Sequence, residues 1–290
     1  MRSPIRLLIE TPHYVFGRFR PVRATFSRLQ YVRQRLDRGA AGLRIGEPYS
    51  PESRPLPVDE SDFVSLNGAS AEHLQRLTRD SYSEGLQLTE SACQQIVEAA
   101  SSLSLKTGSG EHVSYDELQR EPGLRRRVAI ATVPDSGGLD VIRSVAGDRR
   151  VVEIVSAYLG YLPTRVSPWL FWSPPNGLSD GEREAGSQTV RFHYDVHHYS
   201  FLYVNYYLLD TDENNGAHVL IAGSHRDKRL RHLLGSVKLS DEQARHDFAQ
   251  QRFRVVSGRA GAGFFEDTSC FHKALAPRDR ARLMLQLRYQ

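Results

Sequence analysis

His193 and Asp195 stand two positions apart in the run Phe192-His193-Tyr194-Asp195, and a further histidine, His272, follows 77 positions after the aspartate. Residues i and i+2 of an extended strand project to the same side, so an imidazole and a carboxylate can converge on one point, with His272 arriving from elsewhere in the chain. Two histidines and one carboxylate on one face of an octahedral ion leave three positions open, an arrangement suited to oxygen activation at non-haem iron(II). A His-x-Asp pair alone is unspecific, so its surroundings must decide its meaning. Cys270 shares a strand face with His272, but a thiolate there would favour zinc or copper. It is read as a packed structural cysteine.

In such a centre 2-oxoglutarate takes two of the open positions and dioxygen the third. The far carboxylate of the cosubstrate needs an anchor, and arginine can supply two parallel hydrogen bonds. Arg282 lies ten residues after His272, at the start of the next strand candidate, where it can point inward to do this or stand as a solvated strand-end charge. Its neighbours Arg278 and Arg280 read as solvated charges. Asn205 shares a strand face with Tyr203 and Tyr207 and is a candidate contact to the cosubstrate. His197 and His198 are expected to line the substrate side or to support the ligands. Trp172, Tyr194 and the loop 173–187 are candidates for shaping a substrate pocket, with aromatic packing the equal alternative.

These residues need a scaffold of strands. Ser167–Trp172, Phe201–Leu209, His218–Ile221, Ala262–Glu266 and Arg282–Tyr289 read as strands, the last alternating Leu283, Leu285, Leu287 and Tyr289 with Arg282, Met284, Gln286 and Arg288. Before them come helix patterns at 71–77, at 90–100 with Thr89 or Ser91 as cap, and from Asp148 to a stop at Gly160 and Pro163. Residues 225–251 read as a charged helical insert. Helices followed by many short strands predict an α+β fold: a double-stranded β-helix (a cupin-like jelly roll) flanked by helices. The expected organisation is a basic, partly helical arm over 1–46 and one catalytic unit over 47–290. That unit comprises a Pro-rich loop at 47–63, a helical part at about 64–163 and a β core at about 164–290.

Several blocks together resemble the phytanoyl-CoA dioxygenase family of Fe(II)/2-oxoglutarate oxygenases. They are Phe192–Asp195, Tyr207–Ala217 with Asn215-Gly216, Ile221–Arg226 with Gly223-Ser224-His225, Gly263–Asp267, His272-Lys273 and Arg282–Gln286. Order and spacing match over roughly residues 150–290, while the first half matches only loosely. The resemblance implies that His193, Asp195 and His272 bind iron(II) and that Arg282 binds the far carboxylate of 2-oxoglutarate. It implies a hydroxylase or related oxidase of a small molecule, releasing succinate and CO2. In related halogenases a small residue replaces the carboxylate ligand; Asp195 is present here, so hydroxylation is expected over halogenation. The Gly223-Ser224-His225 block reads as a strand-closing turn, with His225 structural.

Composition bounds the alternatives. The chain has 290 residues, net charge +4 and two cysteines, Cys93 and Cys270. No disulfide framework or apolar span of about 20 residues is present, and a cytoplasmic setting is expected. Ten arginines between Arg2 and Arg44 face only Glu10 and Asp37. Such a basic arm can meet an acidic surface, a nucleic acid or a partner. Its amphipathic stretch (Phe26, Leu29, Val32, Leu36) is expected to pack on the body with its arginines in water. No aromatic array interleaved with basic residues supports nucleic-acid binding. Two other readings stand beside the oxygenase: a cupin-like metalloprotein using zinc or manganese without redox chemistry, and a non-catalytic binding protein on the same scaffold. The prime substrate and oligomeric state are not encoded legibly.

Overall fold

Alternation of apolar and polar residues builds two sheets that face a common interior. In the computed structural model, residues 12–36, 43–45, 55–56, 59, 61–185 and 190–290 are described. Residues 1–11 and 37–42 of the basic arm, most of the loop 47–63 and residues 186–189 of the loop 173–187 lie outside the described residues. Eight strands position the site: β1 (Arg165–Ser173), β2 (Phe192–His193), β3 (Leu202–Tyr207), β4 (His218–Ile221), β5 (Phe253–Val256), β6 (Ala262–Glu266), β7 (His272–Ala274) and β8 (Arg282–Tyr289). The large sheet carries the order β6-β3-β8-β1, antiparallel throughout this stretch. Tyr82–Leu88 extends it beyond β6, and Ala131–Val133 beyond β1. The small sheet runs Lys238–Leu239, β2, β7, β4, β5. Successive strands pass from one sheet to the other, except that β4 and β5 both lie in the small one.

Register decides which side chains meet. Arg282, Met284, Gln286 and Arg288 of β8 lie opposite Ser173, Phe171, Trp169 and Ser167 of β1. On the other flank Met284, Gln286 and Arg288 lie opposite Tyr207, Asn205 and Tyr203 of β3. Directly opposed residues share a face, so this grid forms the inner surface. The intervening residues, among them Leu283, Leu285, Leu287, Leu202 and Val204, are fully buried on the outer face. There they form one apolar cluster with residues of the covering helices, including Ile96, Ile142, Val152 and Val155. Helices cover one face of the large sheet because that face, like theirs, is apolar.

The helices begin and end where the sequence places their caps. Thr89 accepts a bond from the backbone N–H of Ala92 at the start of Glu90–Ser102. Asp148 caps Arg149–Leu159 by accepting from the N–H groups of Arg150 and Val151, and Gly160 closes that helix at φ +79°. The charged insert 225–251 departs from the helical expectation. It holds two short helices, Leu230–Leu234 and Asp241–Asp247, and between them Lys238–Leu239 forms a strand pairing with His193 and Phe192. Short apolar-polar alternation between helical turns gave too little signal to reveal that strand.

The helix Arg20–Leu36, termed α1, packs on the body as expected, but only Phe26 of its apolar stripe takes part. Leu29, Val32 and Leu36 are exposed. The contacts come from Phe26, whose ring meets Tyr161 edge-on, from Arg23, and from Gln34, which exchanges two hydrogen bonds with the backbone of Leu162 (2.7 and 3.0 Å). No helix among the described residues is long and apolar enough to cross a membrane.

Asp148 also accepts from the N–H of Ser61 (2.8 Å) and pairs with Arg150 (2.8 Å), while itself fully buried. Losing a cap and one partner of a buried pair together costs about 3 kcal/mol. Asp148→Ala is therefore expected to lower the unfolding free energy by that order in urea titrations, and Asp148→Asn by less, because an amide still caps.

Candidate metal centre

The small sheet brings the two histidines face to face. His193 of β2 is directly opposite His272 of β7, with ring centroids 4.3 Å apart. Each ring is oriented by a backbone carbonyl two residues earlier: His193 Nδ1 bonds the carbonyl of Arg191 (3.1 Å) and His272 Nδ1 that of Cys270 (3.0 Å). Donation from Nδ1 leaves both Nε2 atoms as lone-pair donors. Those atoms face Asp195, at 3.9 Å from Oδ1 for His193 and 3.8 Å from Oδ2 for His272. Asp195 lies just beyond the end of β2, and its backbone N–H donates to the carbonyl of Thr268 (2.8 Å). The three side chains singled out by spacing thus offer two nitrogens and a carboxylate to one point.

Their protonation suits a divalent cation. Burial, with His272 alongside, brings His193 down to about 4, so at neutral pH it is the uncharged ligand form. Burial alone would raise the Asp195 carboxyl, but His197, His272 and His193 outweigh it and hold it well below the usual carboxylate range. His197 Nε2 approaches Asp195 Oδ2 at 3.4 Å, beside the three converging groups, in keeping with the supporting role expected for it. His198 does not share that role. Its ring packs against Phe26 and His13 under the N-terminal helices, because a bend after β2 carries no alternation to predict its direction.

All three side chains border a cavity of about 830 Å³, which also contains Arg282. Arg282 is buried. It donates from Nη1 to the carbonyl of Gly216 (2.6 Å) and from Nη2 to Ser173 Oγ (3.2 Å), and its guanidinium lies over the Phe171 ring. Its Nε is buried with no partner among the described residues. Burial lowers Arg282 to about 10, so it remains a cation at neutral pH. Arg278 and Arg280 are exposed, as expected of solvated charges. The carbonyl that fixes Arg282 depends on a glycine. Gly216 has φ +89°, and a Cβ there would come within 2.9 Å of the Pro277 ring.

Other candidates fall elsewhere. Asn205 faces inward as its alternation predicts, but it is fully buried and donates to Glu266 (3.2 Å) instead of bordering the cavity. The deciding signal was the partner across the sheet, which one strand's pattern cannot contain. Trp172 points to the outer face, where its indole bonds the carbonyl of Ala100 (3.1 Å), and Tyr194 bonds the carbonyl of His232 (2.7 Å). Both are packing residues. Trp169 and Phe171 take their place on the wall, joined by the turn Thr132–Gly138. Its Pro134-Asp135-Ser136-Gly137-Gly138 run was a turn signal lying outside the motif blocks.

Behind His272 sits a buried polar group that spacing did not reveal. His218 Nε2 lies 2.8 Å from Glu266 Oε1, and the His218 ring stacks on His272 with centroids 5.2 Å apart. Burial would raise the Glu266 carboxyl, but His218 brings it below the usual range. Glu266, Cys270 and His272 also cluster closely enough to hold a cation. Glu266 is engaged by His218 and Asn205, however, and the Cys270 thiol is pushed well up by burial and by Glu266, to which it donates. Cys270 is thus a packed thiol. His225 is buried too, brought down to about 4 by burial, and Gly223 at φ +73° turns the chain so that Ser224 Oγ accepts from the N–H of Phe271 (2.7 Å). That block braces the entry to β7.

No family model matches the sequence, and no curated protein matches it. Several solved structures are similar to it. EvdO2 from Micromonospora carbonacea var. aurantiaca, solved in complex with 2-oxoglutarate, is 13% identical; the match covers 78% of this chain and 92% of that one at a TM-score of 0.50. SnoN, a non-heme alpha ketoglutarate dependent epimerase from nogalamycin biosynthesis, was solved with Fe3+, alpha ketoglutarate and nogalamycin RO. It is 18% identical, over 76% of this chain and 83% of that one, at 0.48. EctD from S. alaskensis is 16% identical over 81% of each chain, also at 0.48. At these identities the likeness to EvdO2 establishes a common fold.

Cys93 is buried as well, its thiol pushed up to about 11 by burial. Ellman titration of the native protein is expected to find no fast thiol, and two after denaturation in guanidinium. A rapidly reacting native thiol would contradict the packed state of Cys270.

Proposed function

We propose that this protein is an Fe(II)- and 2-oxoglutarate-dependent oxygenase that hydroxylates a small molecule. The observation that carries the proposal is the convergence of His193 Nε2, His272 Nε2 and the Asp195 carboxylate in one cavity with a buried arginine. The donor set fits iron(II): two imidazoles and one carboxylate, each oriented by the backbone and bordering one cavity. The partnerless buried Nε of Arg282 fits a dicarboxylate anchored at its far end. The passage of successive strands between two sheets supports reading the β core as a double-stranded β-helix. The order of the sequence blocks supports a divergent relative of the phytanoyl-CoA dioxygenases. EvdO2, which shares the fold, was solved with 2-oxoglutarate, in line with the same cosubstrate here.

In this reading His193, Asp195 and His272 hold the metal, and His197 supports the Asp195 oxygen nearest to it. Arg282, held by Gly216 and Ser173, receives the far carboxylate of 2-oxoglutarate, and Phe171 and Met284 form the floor beneath it. Bound iron(II) supplies dioxygen activation, coupling conversion of 2-oxoglutarate to succinate and CO2 with insertion of the second oxygen atom into a substrate C–H bond. Asp195 completes the ligand set, which favours hydroxylation over halogenation. Beyond the site residues, Arg143 and Arg288 border the cavity with Trp169, against one further acid, Asp135. This balance favours a substrate carrying an anionic group beside a planar or apolar body.

A screen of metabolites for succinate release under Fe(II) and oxygen is expected to find substrates among organic acids or phosphates. With such a substrate, Asp195→Ala is expected to abolish substrate-dependent succinate release. Retention of full turnover would sink the ligand assignment, and activity with zinc that consumes no 2-oxoglutarate would favour the non-redox alternative. Arg282→Gln removes charge-assisted bonds worth about 1.5–3 kcal/mol, so the KM for 2-oxoglutarate is expected to rise roughly tenfold to a hundredfold, with a smaller effect on kcat.

A further inference from the structure

The basic N-terminal segment has no assigned task in this reading, yet one of its arginines reaches the loop that carries the metal site. Arg23 of α1 donates from Nη2 to both oxygens of Asp267 (3.3 and 3.2 Å) and from Nη1 to Ser269 Oγ. Asp267 is 2% exposed. It also accepts from the Tyr158 hydroxyl (2.7 Å) and from the N–H of Ser269 (2.9 Å), while its own N–H donates to the carbonyl of Ser81 (2.8 Å). Burial alone would raise its carboxyl; Arg23, His225, Ser269 and Tyr158 together hold it well below the usual range.

Thr268 stands between the two residues that Arg23 grips. Its carbonyl accepts the N–H of Asp195, the bond that fixes the carboxylate's backbone beyond the end of β2. His272 follows four residues later. Arg23 also lies over the Phe201 ring, and Phe201 packs edge-on against His197, the imidazole next to Asp195. Two routes therefore run from one guanidinium to the carboxylate, through the loop backbone and through a pair of rings.

We propose that Arg23 is a positioning residue of the metal centre: α1 clamps the loop 267–270 and thereby sets the orientation of Asp195. This rests on reading His193, Asp195 and His272 as the metal ligands. Without the guanidinium, the buried Asp267 loses its principal cationic partner, the loop relaxes, and the Thr268 carbonyl no longer holds Asp195 in register with the two imidazoles. The cost falls on metal affinity, as it does when groups that orient metal ligands are removed.

Gln34 supplies the internal control, because it fastens the same helix to Leu162 without touching the loop. In the full-length protein, Co(II) titration followed by visible absorption is expected to give Arg23→Ala an affinity about ten- to a hundredfold below wild type and an altered d–d band. Gln34→Ala is expected to lower the melting temperature while leaving Co(II) affinity and spectrum unchanged. Arg23→Lys, which keeps the charge but not the fork, is expected to fall between, and it carries the test if Arg23→Ala does not fold. Wild-type Co(II) binding and spectrum in the Arg23 variants would overturn the proposal, as would an equal loss in Gln34→Ala. Co(II) binding that survives Asp195→Ala would instead overturn the ligand reading itself.

Discussion

Two imidazole lone pairs and a carboxylate gathered at one point repel one another, so they stay together only where the backbone holds them, and the site is organised around meeting that condition at Asp195. Three imidazoles lie around it, and those of His193 and His272 are locked by backbone carbonyls so that their lone pairs point toward the carboxylate. Neither lock depends on another side chain. Each comes from the strand's own geometry two residues upstream, so the pairing of β2 with β7 sets both rings at once. The loop from Glu266 to Cys270 then fastens Asp195 from behind. Two short stretches of backbone, 191–195 and 268–272, thus set the directions of all three donors.

The interior behind the site is unusually polar for a β fold. Glu266, Asn205, His218 and the Cys270 thiol form a connected buried group, and Asp267 has its own set of donors on the other side of the chain. Such groups are costly to bury unless satisfied. Here each carboxylate is met by a histidine or an arginine as well as neutral donors. The apolar cluster under the helices supplies the bulk of burial, leaving the space between the sheets free to carry charge.

Much of this was legible in the sequence. The alternation of β8 put Arg282 inside and Leu283 and Leu285 outside, and the caps at Thr89, Asp148 and Gly160 marked helix ends because their chemistry is local. The triad's convergence was legible because a two-residue spacing and a distant histidine before a strand leave few arrangements. What escaped notice depended on partners remote in the chain. Asn205 was correctly placed on the inner face, but only Glu266 across the sheet decides that it turns away from the cavity. Trp172 and Trp169 differ by parity, which the register of β1 against Arg282 resolves and the tryptophans themselves do not. His198 follows a bend, where periodicity carries no information. Arg23 lies outside its helix's apolar stripe, of which only Phe26 docks, and its partner Asp267 lies 244 residues away.

The turn at Gly216 has a consequence for selectivity. Its carbonyl holds one arm of the Arg282 guanidinium, and the positive φ and the Pro277 ring leave no space for a side chain. One arm of that end of the cavity is therefore fixed by main chain, as rigid as the turn, while Ser173 holds the other. Under the proposed function, that fixed cation and the three converging side chains would take the two ends of one diacid, and their fixed spacing would favour one chain length.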